Sequence, residues 1–174
     1  DSEEIAILAR RGVRAVHIPM SNCEVGGGIA PAPEMLAAGI TLGLGTDGYV
    51  SNFSENMRWA FLMHKARRQD PAIMPAAMVW RMATAGGAAV LGLKNVGALA
   101  PGCSADLLLM NVDDLPTPPT PGNLLDQLIL WRNPSDIVAV MVAGRWLMRE
   151  CVVLGADEAA SRAHCREAAR RLWG

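Results

Sequence analysis

Neither sign of charge dominates this sequence: 16 Lys and Arg stand against 17 Asp and Glu, a formal net charge of -1. No long run of either sign occurs, so a phosphate-tracking nucleic-acid surface is excluded as the first hypothesis. No apolar run reaches the ~20 residues of a bilayer span before a charge, Gly or Pro breaks it. No membrane association is therefore expected, although 51% of the residues are hydrophobic and the mean hydropathy is +0.20. That apolar excess implies an apolar interior or an apolar interface. The four cysteines, Cys23, Cys103, Cys151 and Cys165, form no C-x-x-C pair, which excludes a zinc ribbon and a dithiol redox motif. They read as reduced, mostly buried thiols of a cytoplasmic protein. The opening DSEEIAILARRG has no initiator Met, basic n-region or apolar h-region; the chain reads as beginning inside something larger. Its 174 residues make one domain, or one domain with a small appendage, and need no disulfide or metal merely to fold.

The first half alternates in a regular way. A helical stripe over Glu3 to Arg11 follows acidic residues and stops at Gly12. VRAVHI (Val13 to Ile18) is short, branched and apolar, a strand ending at Pro19. MSNCEVGGGIAP reads as a Gly-rich loop, Pro31 to Ala38 as a short helix, and ITLGL (Ile40 to Leu44) as a second strand running into GTDG. Helix, strand, helix, strand is the rhythm of a parallel α/β sheet. A helix through Arg68 follows, with Ser51 and Ser54 as candidate N-caps. Another helix spans Ala76 to Leu91, kinked or divided at Gly86 and Gly87 and stopped by Gly92. The texture then changes. ADLLLM (Ala105 to Met110) is a strand, and Asn111 to Gly122, with four prolines, is a surface loop. Leu124 to Trp131, Ile137 to Val142 and Arg145 to Leu154 are apolar segments, the last two joined by a hairpin-like turn at Ala143 and Gly144. Asp157 to Trp173 closes as a helix.

Asp47 is the residue that physics singles out. It follows the second strand at its C-terminal end, where parallel α/β folds place ligands and catalytic groups. A carboxylate there, between Gly45 and Gly48, can approach a divalent ion or accept a proton from water; equally, it can cap the next turn. His17 ends the preceding strand and reaches the same rim, or else is a packing residue. Ser21 and Asn22, in the loop behind it, can orient a substrate or cap a turn. Tyr49 and Phe53 flank GTDG and are candidate pocket residues. The Gly26 to Gly28 run lacks the spacing and the Lys of a phosphate loop. His64, Lys65, Arg67 and Arg68 read as the solvated face of their helix, and His164 as a surface residue.

The ordered pieces VHIPMSN, GIAP, GTDG and SN, then ATAGGAAVLGL and GALAPGCSADLLLM, resemble the amidohydrolase superfamily. The likeness is to its branch of methylthioadenosine/adenosylhomocysteine deaminase-like and chlorohydrolase-like enzymes, and it covers about Glu3 to Leu154. The resemblance implies the C-terminal part of a (β/α)8 TIM barrel with a portion of a small β-sandwich: residues 1–93 in the barrel, 94–155 in the sandwich and 156–174 as the C-terminal helix. It implies that Asp47 is a metal ligand and proton carrier, that His17, Asn22 and Ser51 lie near the substrate, and that the cofactor is a divalent metal, Zn or Fe. It also implies an activity, hydrolytic deamination or dechlorination of an amino-heterocycle such as a purine, nucleoside or triazine. The family's H-x-H pair and its further His and Glu are absent from this chain, so the chain alone is expected to be inactive. It then needs an N-terminal barrel portion, in the same precursor or as a separate chain, and forms a homo-oligomer when complete. The competing reading is a non-catalytic binding or assembly module derived from an incomplete barrel.

Overall fold

The computed structural model describes residues 1–48 and 51–174. The chain opens on α1 (Ser2–Arg10), where the Asp1 carboxylate accepts from the Glu3 and Glu4 amides in a capping box; such a cap satisfies donors that the first helical turn leaves orphaned. Gly12, at φ +63°, ends it. β1 (Arg14–His17) then runs parallel to β2 (Thr41–Leu44), with Ala15 beside Leu42 and His17 beside Leu44. Between them lie α2 (Pro19–Glu24) and α3 (Ala32–Ala37). The expected loop over MSNCEVGGGIAP thus begins as a helix: Pro19 sits at its first position, where a missing N–H is no loss, and only the glycines beyond Glu24 are irregular.

The long α4 (Phe53–Arg68) is capped by Asn52, whose side chain accepts from the Glu55 amide, rather than by Ser51 or Ser54. Its buried residues, Asn56, Met57, Ala60, Phe61, Met63 and His64, recur at helical spacing, the mark of one face turned to a core. That core joins Ile40, Leu42 and Leu44 of the strand region to Phe61, Met74, Val79 and Met82. α5 (Ala76–Arg81) passes through a π-helical turn (Met82–Gly86) into α6 (Gly87–Leu91), the division foreseen at the glycine pair. There the backbone lies so close to β2 that a Cβ at Gly86 would stand 2.5 Å from the Leu42 carbonyl oxygen.

The rest of the chain forms an antiparallel sheet in the order β3 (Leu107–Met110), β4 (Ile137–Val142), β5 (Arg145–Arg149) and β6 (Val152–Val153). Ala143 and Gly144 join β4 to β5 with φ of +48° and +76°, the sign pattern of a tight hairpin turn. Between β3 and β4, α7 (Leu124–Trp131) returns to the first unit: Ile129 is 1% exposed within its core, and the Arg58 guanidinium of α4 donates to the Leu130 and Arg132 carbonyls. α8 (Glu158–Trp173) carries no buried residue. The cysteines depart from expectation, since Cys151 and Cys165 are exposed and Cys23 and Cys103 only half-buried. Among the described residues no helix is long and apolar enough to cross a membrane. Much apolar surface stays open, including Val16 on β1, Trp59 and Leu62 on α4, and Trp173.

Because the obstacle at Gly86 is a backbone atom and not a flexible side chain, Gly86→Ala is expected to lower unfolding stability by about 1–3 kcal/mol. Urea denaturation checks this, and an unchanged midpoint would contradict the close approach.

Candidate functional site

The parallel pairing brings the C-terminal ends of β1 and β2 side by side. One further ladder bond, from the Gly45 amide to the His17 carbonyl at 2.9 Å, carries the register to Gly45. A Cβ at that position would lie 2.6 Å from a Val16 methyl, so any larger residue there forces that side chain to shift. The chain then leaves the sheet, and Asp47 adopts φ +63°, a left-handed conformation that Asp tolerates better than most residues. Ser21, 3% exposed on α2, donates its hydroxyl to Asp47 Oδ2 at 2.7 Å, and the Gly48 amide donates to Oδ1 at 2.7 Å. Asp47 itself is exposed. The Ser21 hydroxyl first, and the Gly48 amide second, hold its carboxyl below the usual carboxylate range, because both bonds favour the ionised form. The result is an anionic rim group of fixed orientation, with lone pairs left over.

Behind it lies a buried histidine pair. His17 and His64 are 3% and 1% exposed, and their Nε2 atoms stand 3.1 Å apart, so one ring donates and the other accepts. His64 is therefore not on the solvated face of α4. Lys65, too, is half-buried, donating to the Pro71 and Ile73 carbonyls at 3.0 and 2.6 Å. Burial, then the neighbouring His64, pushes His17 down to about 4; burial, then Arg67, lowers His64. Both rings are neutral near pH 7. The Nδ1 of His17 is buried without a partner among the described residues.

The other predicted residues lie nearby with less definition. Asn22 is half-buried on α2 and Ser51 exposed just before α4; no side-chain hydrogen bond among the described residues ties either to Asp47. Phe53 packs against the core, and Tyr49 lies outside the described residues. The direct partner of Asp47 is Ser21, expected together with Asn22 to orient a substrate or cap a turn. Asn56 is the residue that sequence reasoning missed: it is wholly buried, its carboxamide donates to the Gly45 carbonyl, and its Oδ1 accepts from the Met20 amide at 3.4 Å. The one signal for it was a polar amide at the spacing of the apolar residues Met57, Ala60, Phe61 and Met63. No three His, Cys, Asp or Glu side chains among the described residues converge to hold a metal ion.

An ionised carboxylate fixed at the C-terminal end of a parallel strand, with helices packed around the sheet, defines an α/β protein with a ligand-side rim. The particular family follows from comparison. The chain belongs to the amidohydrolase family, whose model matches residues 1–147. It is 42% identical over 174 residues to a 5-methylthioadenosine/S-adenosylhomocysteine deaminase of Desulforudis audaxviator, covering 97% of this chain and 40% of that protein. Its structure resembles a zinc-bound adenosine deaminase from Xanthomonas campestris, with a TM-score of 0.91 and 33% identity over 98% of this chain and 40% of the other. It also resembles a zinc-complexed atrazine chlorohydrolase from Arthrobacter aurescens, with a TM-score of 0.80 and 30% identity over 96% of this chain and 38% of the other. The chain thus spans about 40% of the length of the curated relatives it matches.

The histidine pair gives a pH prediction. The folded-state value of His17 is depressed from 6.5 to about 4, so its contribution is complete above pH 6.5 and is lost as pH falls toward 4. The loss is of order 3 kcal/mol at 1.36 kcal/mol per unit. Urea unfolding at pH 7, 5.5 and 4.5 is expected to show this decline, and a shallower one in His17→Gln. A flat profile in the parent would contradict a buried, neutral pair.

Proposed function

We propose that this chain is the C-terminal part of a (β/α)8-barrel hydrolase with a portion of its small β-sandwich, and that the complete protein deaminates or dechlorinates an amino-heterocycle. Residues 1–93 form the barrel portion, 94–155 the sandwich portion and 156–174 a terminal helix. The single observation that carries the reading is the Asp47 carboxylate, ionised and held by Ser21 and Gly48 at the rim. It fits one coordination position of a divalent metal, zinc or iron, because it is anionic, oriented and open to solvent. It fits only one, so the remaining ligands come from outside this chain, from an N-terminal barrel portion.

When bound, such a cation supplies the charge that lets water act as a nucleophile near neutral pH. The residues of this chain do the positional work. Ser21 keeps Asp47 Oδ2 in place, and Asp47 takes a proton from the attacking water as its oxygen bonds to the ring carbon. Asp47 returns the proton to the amino nitrogen as the carbon–nitrogen bond breaks, and ammonia departs; with a chloro substituent, chloride leaves instead and Asp47 releases its proton to solvent. Asn22 and Ser51 lie at the mouth of this rim as substrate contacts. His17, buried and neutral, packs beneath it. The deaminase and chlorohydrolase names of the relatives support this substrate class. The non-catalytic alternative has one observation in its favour, the lack of a three-donor cluster among the described residues.

The test uses the complete protein and a panel of aminopurines, aminopyrimidines and chlorotriazines, read as ammonia or chloride release. Asp47→Ala is expected to lower kcat by about 10³-fold with folding unchanged by circular dichroism. Turnover within threefold of the parent would overturn the assignment.

A further inference from the structure

We propose that Asn56 is a positioning residue: through two backbone contacts it holds together the two segments whose side chains meet as Ser21 and Asp47. The proposal rests on the hydrolase reading above and adds a residue to it.

An Asn in a helix interior is a poor helix former, and burying its amide is costly unless every polar atom is bonded. Asn56 is 0% exposed on α4, and each end of its carboxamide has a specific partner. The Nδ2 donates to the Gly45 carbonyl, on the last residue to continue the sheet register and two before Asp47. The Oδ1 accepts from the Met20 amide at 3.4 Å. Met20 occupies the second position of α2, and the residue preceding that helix, Ile18, provides no side-chain cap. The opening N–H groups of a helix need acceptors, so Asn56 serves as the cap from across the fold. Ser21 is the next residue along. One buried side chain therefore grips the end of β2 and the start of α2, and 2.7 Å of hydrogen bond between Ser21 and Asp47 spans the gap it fixes. An aliphatic residue of the same size would fill the space and leave both backbone groups unpaired. Small displacements of a catalytic group are expensive, since an error near 1 Å costs about 10²-fold in rate.

The experiment compares Asn56→Asp, which keeps the acceptor and loses the donor to Gly45, with Asn56→Ala in the complete protein. Five quantities are read: kcat, KM, zinc affinity by chelator competition, melting temperature of the metal-free form, and hydrogen exchange of the Gly48 amide in that form. Asn56→Asp is expected to lower kcat at least tenfold with KM within threefold, to weaken zinc about tenfold, and to speed Gly48 exchange at least tenfold. In a Ser21→Ala background the same substitution should lower kcat by less than it does in the parent, because one of its two routes to Asp47, the one through α2 and Ser21, is already cut while the grip on Gly45 is still lost. If Asn56→Asp fails to fold, Asn56→Ser takes its place with the same expectations. A fall in melting temperature with kcat, zinc affinity and Gly48 exchange all within twofold of the parent would overturn the proposal and leave Asn56 a packing residue. Asp47→Ala separates the two levels: if it is inactive while the Asn56 variants keep turnover, zinc affinity and Gly48 exchange within twofold of the parent, only the positioning role falls. If Asp47→Ala retains turnover, the hydrolase reading falls, and Gly48 exchange still decides whether Asn56 holds the loop.

Discussion

The parallel pairing of β1 with β2 is the constraint on which the rest depends. It is short, four residues on each strand, yet it sets the C-terminal ends of both strands at one level. Everything chemical in the chain follows from that alignment. The turn after β2 presents Asp47, the helix after β1 presents Ser21, and the hydrogen bond between them orients a charge that would otherwise swing freely in solvent. A slip of one residue would move Leu42 and Leu44 to the opposite face of the sheet, out of the core they share with Met57 and Phe61, dismantling the core and the rim together.

The helices around this pair hold the register. α4 contributes Phe61 and Met57 to the core, His64 to the histidine pair and Asn56 to the rim. The close approach of the π-helical turn to β2, made possible by Gly86, presses a second helical segment against the strand. α7 adds Ile129 from a segment far along the chain, so the core of the α/β unit is completed by residues that follow β3. The antiparallel sheet and α8 contribute nothing to the rim and leave large apolar side chains in solvent, as does Val16 on the strand pair itself.

Much of this was legible in the residues. VRAVHI and ITLGL announce strands by their branched, apolar texture and by the punctuation of Pro19 and of GTDG. Gly12, Gly92 and the Ala143–Gly144 turn act where their conformational freedom requires them. The position of Asp47 was legible because a carboxylate directly after a buried strand stands at the C-terminal end of the sheet, whether it binds an ion or caps a turn. What escaped was anything decided by three-dimensional packing. α2 was hidden by the glycines that follow it. His64 and Lys65 sit beside Arg67 and Arg68 in sequence, but the 100° step between helical neighbours sends His64 inward to His17 while Arg67 stays exposed. The role of Asn56 depends on partners 11 and 36 residues away, for which no local pattern exists.

In the proposed hydrolase the Asp47 oxygens are aimed at a cation shared with polypeptide beyond this chain. Anomalous diffraction at the zinc edge, on crystals of the complete protein, tests this most directly. The predicted result is a zinc peak about 2.0–2.2 Å from an Asp47 oxygen, with the Ser21 hydroxyl still bonded to the same carboxylate. A fully occupied zinc peak with the Asp47 carboxylate outside its coordination shell would contradict the account.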